Sequence, residues 1–265
     1  MVDTSLVMKK TGLICFLFLL LVSVSAFAVK PLRFALFTDL HISVLKPQND
    51  EDLKLAIDEV NSNPQLNFVL VDGDDTDLGD TASLKIAKQL LDKLNKPYYI
   101  TTGNHDTRHG KIGSGAFISV FGKDRFSITA SGYQFIGFPT GPIPGGSLGH
   151  ITTTDLDFVN KAMQSATGLP VFLITHYPLL EGDIDNRTEL FDLMKKYQVV
   201  AVLNGHYHRN AVFDYNGVPG IVNRSTQRGK QPFGGYSVYT VSDSLKVAEK
   251  IIGQPELEWL AIPLK

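Results

Sequence analysis

Beyond residue 30 the chain alternates between short apolar runs and longer amphipathic stretches, and this alternation constrains the fold more than any other feature. Strands buried on both faces read as continuous apolar runs, and amphipathic segments between them are helices that cover a sheet, so the pattern implies parallel strands in an α/β fold. "LRFALFT" is expected as a strand. "EDLKLAIDEVNS" repeats apolar residues at helical spacing, Leu53, Ile57 and Val60, until Asn63-Pro64 ends it. "NFVLVDG" reads as strand, "SLKIAKQLLDKL" as helix and "PYYIT" as strand, completing a βαβαβ order.

"RFSITASGYQFIGF" is expected as a hairpin about Ser131-Gly132, and "GPIPGGSLGH" as a Gly/Pro-rich loop. "DLDFVNKAMQS", "PVFLITH", "ELFDLMKKY" and "VVAVLNGH" continue as helix, strand, helix and strand. From Arg209 onward only strands are expected, the first two joined by an Asn216-Gly217 hairpin turn. No repeat, low-complexity linker or domain boundary interrupts residues 29–265, which read as one domain.

Residues 1–28 have a different character. Lys9 and Lys10 precede the apolar run "LICFLFLLLVSV", and Ala26 and Ala28 flank Phe27, the pattern of a secretory signal peptide. The run is shorter than the roughly 20 residues of a membrane span. The expectation is cleavage after about Ala28, export to a periplasm or the medium, and no span in the mature chain. Cys15 is the only cysteine, so any metal in residues 29–265 is held by His, Asp, Glu or Asn. Removing residues 1–28 leaves 23 basic and 26 acidic residues, and no basic patch suggests a nucleic-acid surface.

The polar residues cluster at expected strand ends. Asp39 and His41 follow the first strand, Asp74 the second, and Asn104, His105 and Asp106 the third. His176 follows a later strand, and His206 and His208 the next. Carboxyl ends of strands form the ligand crevice of open α/β sheets, so five of the seven histidines are expected on one edge. Each motif alone is weak; the ordered set points to metal binding.

The series D-x-H, G-D, G-N-H-D, H and G-H-x-H resembles the calcineurin-like metallophosphoesterase superfamily over nearly all of residues 29–265. Within it, "GDDTDLGD" and "GNHDTR" are similar to the class that includes bacterial cyclic-nucleotide phosphodiesterases. The resemblance implies a four-layer αββα sandwich of two mixed β-sheets flanked by helices. It also implies that Asp39, His41 and His208 hold one metal, that Asn104, His176 and His206 hold another, and that Asp74 bridges them. Such a mixed N/O set suits Mn, Fe or Zn, as two divalent or mixed-valence transition-metal ions, and suits Mg or Ca poorly.

The expected activity is hydrolysis of a small phosphorylated substrate, a phosphodiester first, by a metal-bridging hydroxide. His105 is assigned to the leaving group, with Asp106 orienting it and favouring its charged form. Arg108 and His150 are expected substrate contacts, His109 a weaker one, and Asp72, Asp75 and Asp77 supporting or turn residues. Tyr177 and Tyr207 flank ligands and fit the pocket lining or the core equally. A phosphomonoesterase or pyrophosphatase on the same site is the alternative, and a non-catalytic metal-binding scaffold a third reading. No pattern assigns an oligomeric state.

Overall fold

The computed structural model describes residues 31–108, 113–143, 146–166 and 168–264. The expected signal segment and His109 lie outside the described residues, and Arg108 is described by its backbone alone. The elements run β1 (Leu32–Phe37), α1 (Pro47–Ser62), β2 (Phe68–Asp72), α2 (Thr81–Leu91) and β3 (Tyr98–Thr101). Next come α3 (Asn104–Arg108), α4 (Gly115–Phe121), β4 (Phe126–Ala130), β5 (Tyr133–Gly137) and α5 (Thr153–Ser165). After these follow β6 (Val171–Ile174), α6 (Arg187–Met194) and β7 (Val199–Asn204). The chain finishes with β8 (Ala211–Tyr215), β9 (Val218–Val222), β10 (Gly235–Val241), β11 (Ser244–Ile251) and β12 (Glu256–Pro263).

Two six-stranded sheets result, in the orders β12-β11-β10-β1-β2-β3 and β4-β5-β6-β7-β9-β8. Strands β1, β2 and β3 are mutually parallel, as are β5, β6, β7 and β9; antiparallel strands close the flanks, so both sheets are mixed. The two-residue period of a strand explains how one short run serves two layers. In β1, Phe34 and Leu36 face the second sheet, joining Phe68, Leu70, Phe135, Phe172 and Leu203. Ala35 and Phe37 face the other way, against Leu53, Ile57 and Val60 of α1 and Leu84 and Leu91 of α2. On the far side, Ile136, Leu173 and Val202 pack on Val159 and Met163 of α5 and Leu190 and Leu193 of α6. The layers are therefore α, β, β, α.

Aromatic rings fill the layer between the sheets. Phe34 stacks on Phe68 at 5.2 Å and on Tyr239 at 4.9 Å, and meets Phe135 across the layer edge-on at 5.3 Å. Helix α1 begins at Pro47, four residues earlier than its apolar period suggests, because proline is well suited to a first turn whose N–H groups lack intrahelical partners. Helices α3 and α4 are too short to carry a readable period. Among the described residues no helix is long and apolar enough to cross a membrane.

Candidate metal centre

The parallel strands of the two sheets end at one common rim, and their last residues carry the polar side chains. Asp39 and His41 leave β1, Asp74 leaves β2, and Asn104 and His105 open α3 after β3. His176 follows β6 from the second sheet, and His206 and His208 follow β7. Close backbone contacts hold these turns together: the Asp39 and His41 amides donate to the carbonyls of Gly73 (3.0 Å) and Asp74 (2.9 Å). A side chain at Gly103 would collide with Asp74, and one at Gly205 with Thr38 and Asp39, which is why glycine stands at both places.

Donor atoms converge from both sheets. Asp39, His41 and His208 form one set with ligand atoms within 4.8 Å of one another, and Asp74, His176 and His206 form a second. A third set joins His41 and Asp74 to His105. The Nε2 atoms of His41 and His208 stand 3.2 Å apart, and His208 Nε2 is 3.1 Å from Asp39 Oδ1. His176 Nε2 is 3.1 Å from Asp74 Oδ2. Despite this crowding, Asp39 Oδ1, Asn104 Oδ1 and His176 Nε2 are buried without a hydrogen-bond partner among the described residues.

Orphaned lone-pair donors that face one another cost several kcal/mol unless a cation stands between them, so this donor set fits a metal. The imidazole tautomers agree. His176 Nδ1 donates to the Asp72 carbonyl at 2.7 Å and His41 Nδ1 to Asp77 Oδ1 at 3.1 Å, which leaves each Nε2 lone pair aimed at the cluster. Fixing a ligand histidine through its other nitrogen is the usual outer shell of a metal site. Asp39 Oδ2 accepts from Thr38 Oγ1 and the His206 amide, and Asp74 Oδ1 from the His105 amide, so each carboxylate keeps its other oxygen for the centre.

Charge divides the rim carboxyls into two kinds. Burial raises the pKa of Asp74, but the His176 and His41 imidazoles outweigh it and hold the group well below the usual range. Asp39 is buried too and is likewise lowered, by His176 and His208. With no cation between them, burial lowers His176 and Asp74 and Asp39 more than reverse it, so the ring carries at Nε2 a proton that a bound metal ion would displace. His206 is pushed down to about 4 by burial and the His176 charge. Behind them, Asp72 and Asp75 are pushed well up by burial, and none of their carboxyl oxygens has a hydrogen-bond partner among the described residues.

The partner expected to orient His105 is corrected. Asp106 turns both oxygens to the loops, accepting from the Asp75, Thr76 and Gly103 amides at 2.9–3.0 Å and from Thr76 Oγ1 at 3.0 Å. It locks the turn after β2 to the turn after β3, as a buried carboxylate surrounded by amide donors does. His105 Nδ1 donates to the Asp77 carbonyl at 2.7 Å, so a backbone group sets that ring. His150 joins none of the donor sets; its Nδ1 donates to Asp185 Oδ1 at 2.8 Å, beside a cavity lined by Thr107, Arg125 and Asp155. Tyr177 packs its ring 4.3 Å from that of His206, and Tyr207 donates to Asp183 at 2.5 Å.

One wall of the rim has no counterpart in the motifs. Residues 223–234, after β9, reach the Asp39 turn: the Thr226 amide donates to Thr38 O at 2.8 Å and the Thr38 amide to Thr226 Oγ1 at 3.2 Å. The same strand-end rule that singled out the histidines also covers this segment. It contains no His, Cys, Asp or Glu, so composition drew no attention to it.

Comparison with known proteins agrees with the geometry. The profile of the Calcineurin-like phosphoesterase family matches residues 32–210, and the chain belongs to that family. This places it among the metallophosphoesterases, hydrolases of phosphoric esters. A probable glycerophosphodiester phosphodiesterase GpdQ of Arcobacter nitrofigilis is 28% identical over 162 residues, 56% of this chain and 59% of the relative, so the match spans less than two thirds of that protein. A probable cyclic nucleotide phosphodiesterase of Vesicomyosocius okutanii is 25% identical over 73% of this chain and 84% of the relative. In fold the chain is similar to a dimetal phosphatase from Danio rerio, with a TM-score of 0.68 and 12% identity over 88% of this chain and 99% of that one.

Proposed function

We propose that the protein is an exported phosphodiesterase that works with two transition-metal ions, Mn, Fe or Zn. The observation that carries this reading is the convergence of orphaned donors at the rim: Asp39 Oδ1, Asn104 Oδ1 and His176 Nε2 have no hydrogen-bond partner among the described residues, while the Nε2 atoms of His41 and His208 meet at 3.2 Å. Asp39, His41 and His208 would hold one ion, Asn104, His176 and His206 the other, and Asp74 would be shared by both. When bound, the ions supply positive charge for phosphate oxygens and bring the pKa of water towards neutrality. Asp39 and Asp74 are themselves almost wholly buried, so little solvent competes for the carboxylates and their attraction for cations is strengthened.

His105 acts on the departing alcohol. Its Nδ1 proton is committed to the Asp77 carbonyl, so the proton it gives to the leaving oxygen comes from Nε2. Asp106 is a positioning residue, because it ties the backbone carrying His105 to the turn carrying Asp74. A diester is preferred because two relatives are named for diester substrates, and export rests on the residue order of segment 1–28.

The test compares bis(4-nitrophenyl) phosphate with 4-nitrophenyl phosphate at one pH and with one metal, so that the leaving group stays the same. The expected result is metal-dependent turnover of both, with the higher kcat/KM for the diester. A clear preference for the monoester assigns the site to a phosphatase instead. No turnover with Mn, Fe or Zn, together with no bound metal by elemental analysis, removes the reading.

A further inference from the structure

A cavity of about 310 Å³ opens directly beside His208, and the metal ligands account for none of its other walls. Arg209, Arg224, Gln231, Phe233 and Glu249 line it with His208. Its wall is the 223–234 segment, anchored on one side to the Asp39 turn and on the other by the Arg224 amide, which donates to Asn210 Oδ1 at 3.0 Å. The cavity therefore shares His208 with the centre and is built on the same rim.

Its charge is unusual. Arg224 is 8% exposed, yet among the described residues its guanidinium makes only long contacts: Nε to Ser225 O at 3.3 Å, Nη2 to Phe233 O at 3.4 Å, and Nη1 to Glu249 Oε1 at 3.4 Å. Burial lowers its pKa in spite of Glu249 and Asp52. Arg228, four residues on in the same segment, shows what a satisfied guanidinium looks like here: Nε and Nη2 both meet Asp52 Oδ1 at 2.7 Å. Arg209, exposed, lies over the Tyr207 ring at 5.7 Å and adds a second guanidinium to the lining. Two cations thus face one carboxylate in the lining, and the buried cation makes no short bond to the described residues.

A guanidinium in a partly dry cavity recognises oxyanions, by paired and charge-assisted hydrogen bonds. We infer that this cavity receives the arm of the diester that stays on phosphorus, and that it selects an arm ending in an oxyanion, a carboxylate or a second phosphate. The inference rests on the phosphodiesterase reading above. Phe233, 48% exposed, offers a ring face to an aromatic arm, and that outcome opposes the one inferred.

The experiment uses the metal-loaded protein and four 4-nitrophenyl phosphodiesters whose second arm is butyl, phenyl, 3-carboxypropyl or 3-phosphonopropyl. The expected kcat/KM for a charged arm exceeds that for butyl by about tenfold or more, equivalent to about 1.4 kcal/mol. The carboxylate and phosphonate arms compared with each other identify which oxyanion is preferred. Arg209→Gln should bring the ratio towards one, and Glu249→Gln should raise it, a gain that a misfolded variant cannot produce. Calorimetric binding of 4-phosphonobutyrate against butylphosphonate reads the same preference without turnover. Equal values for charged and butyl arms in both assays, or a preference for phenyl, overturn the inference. Absent hydrolysis with a retained binding preference overturns the phosphodiesterase reading and leaves the cavity assignment standing.

Discussion

Strands β1 and β2 pass within a few residues from the driest layer of the molecule to its most polar rim. Phe34, Leu36, Phe68 and Leu70 are at most 4% exposed and pack among rings from both sheets. A few residues on, Asp39 and Asp74 are just as buried but charged, and both sit at positive φ. Seven non-glycine residues with positive φ occur among the described residues, and five are Asp39, His41, Asp74, His206 and His208. The other two, Ser131 and Asn216, are hairpin turns. Such backbone costs of order 1–3 kcal/mol per residue and persists only where surrounding structure over-determines it. The layer between the sheets is what makes the rim affordable: its packing holds strained turns and facing lone pairs in a geometry they would abandon alone.

That contrast can be tested by injuring each region separately. The largest effect is expected at the rim, on chemistry: His105→Ala should lower kcat about 10²–10⁴-fold for an alkyl leaving group while the metal content, by elemental analysis, stays that of the wild type. The loss should shrink for nitrophenolate, which departs without a proton. Lost metal in this variant would instead make His105 a ligand, as its set with His41 and Asp74 permits.

In the layer, Phe34→Ala removes the ring that stacks on Phe68 and Tyr239 and should cost about 3–5 kcal/mol of stability in denaturant melts. The kcat of the molecules still folded should change far less than in His105→Ala. A kcat loss as large as that of His105→Ala would show that the layer does more than hold the rim.

A smaller effect is expected one shell behind the ligands. The Asp77 carboxylate accepts a hydrogen bond from His41 Nδ1 at 3.1 Å and is itself held by Lys46 at 2.6 Å. Asp77→Ala should weaken metal affinity about 10–100-fold, read by competition with a chelator, with melting of the metal-free protein little changed. Unchanged affinity would separate His41 orientation from Asp77.

The smallest effect concerns Asp75, whose buried carboxyl has its pKa pushed well up by burial and by the charges of Asp106 and Asp74. A raised folded-state pKa means that the folded chain holds a proton the unfolded chain has lost. The favourable contribution is complete below the unfolded value and declines as pH rises towards the folded one. Asp75→Asn removes that decline, so the metal-free variant should melt above wild type at pH 7 and approach it near pH 4. A lower melting temperature at pH 7 would mean that the carboxylate is ionised and bound in the native protein.

Much of this organisation was legible in the chain. The strands read from apolar runs occur, because runs such as "FVLVD" are buried on both faces and have no other stable use. Ser131-Gly132 and Asn216-Gly217 turn the hairpins as their positive φ values require. The positions of Asp39, His41, Asp74, Asn104, His176, His206 and His208 at strand ends follow from the same pattern. The orienting group of His105 was not legible, because a backbone carbonyl carries no sequence signal, and Asp106 lies next to His105 in the chain while its carboxylate turns to the backbone of residues 75, 76 and 103.

Local composition and spacing by themselves determined which segments become strands and helices, and which residues stand where a strand stops, because periodicity and turn chemistry act over a few residues. Only the tertiary structure decided which lone pairs face one another and which nitrogen of each imidazole is free. It also decided that Asp39 and Asp74 are held low while Asp72 and Asp75 are pushed up, and that Arg224 and His208 line one cavity. Those outcomes depend on distances of about 3 Å between residues far apart in the chain, where a hydrogen bond or a charge changes sign of effect with small displacements.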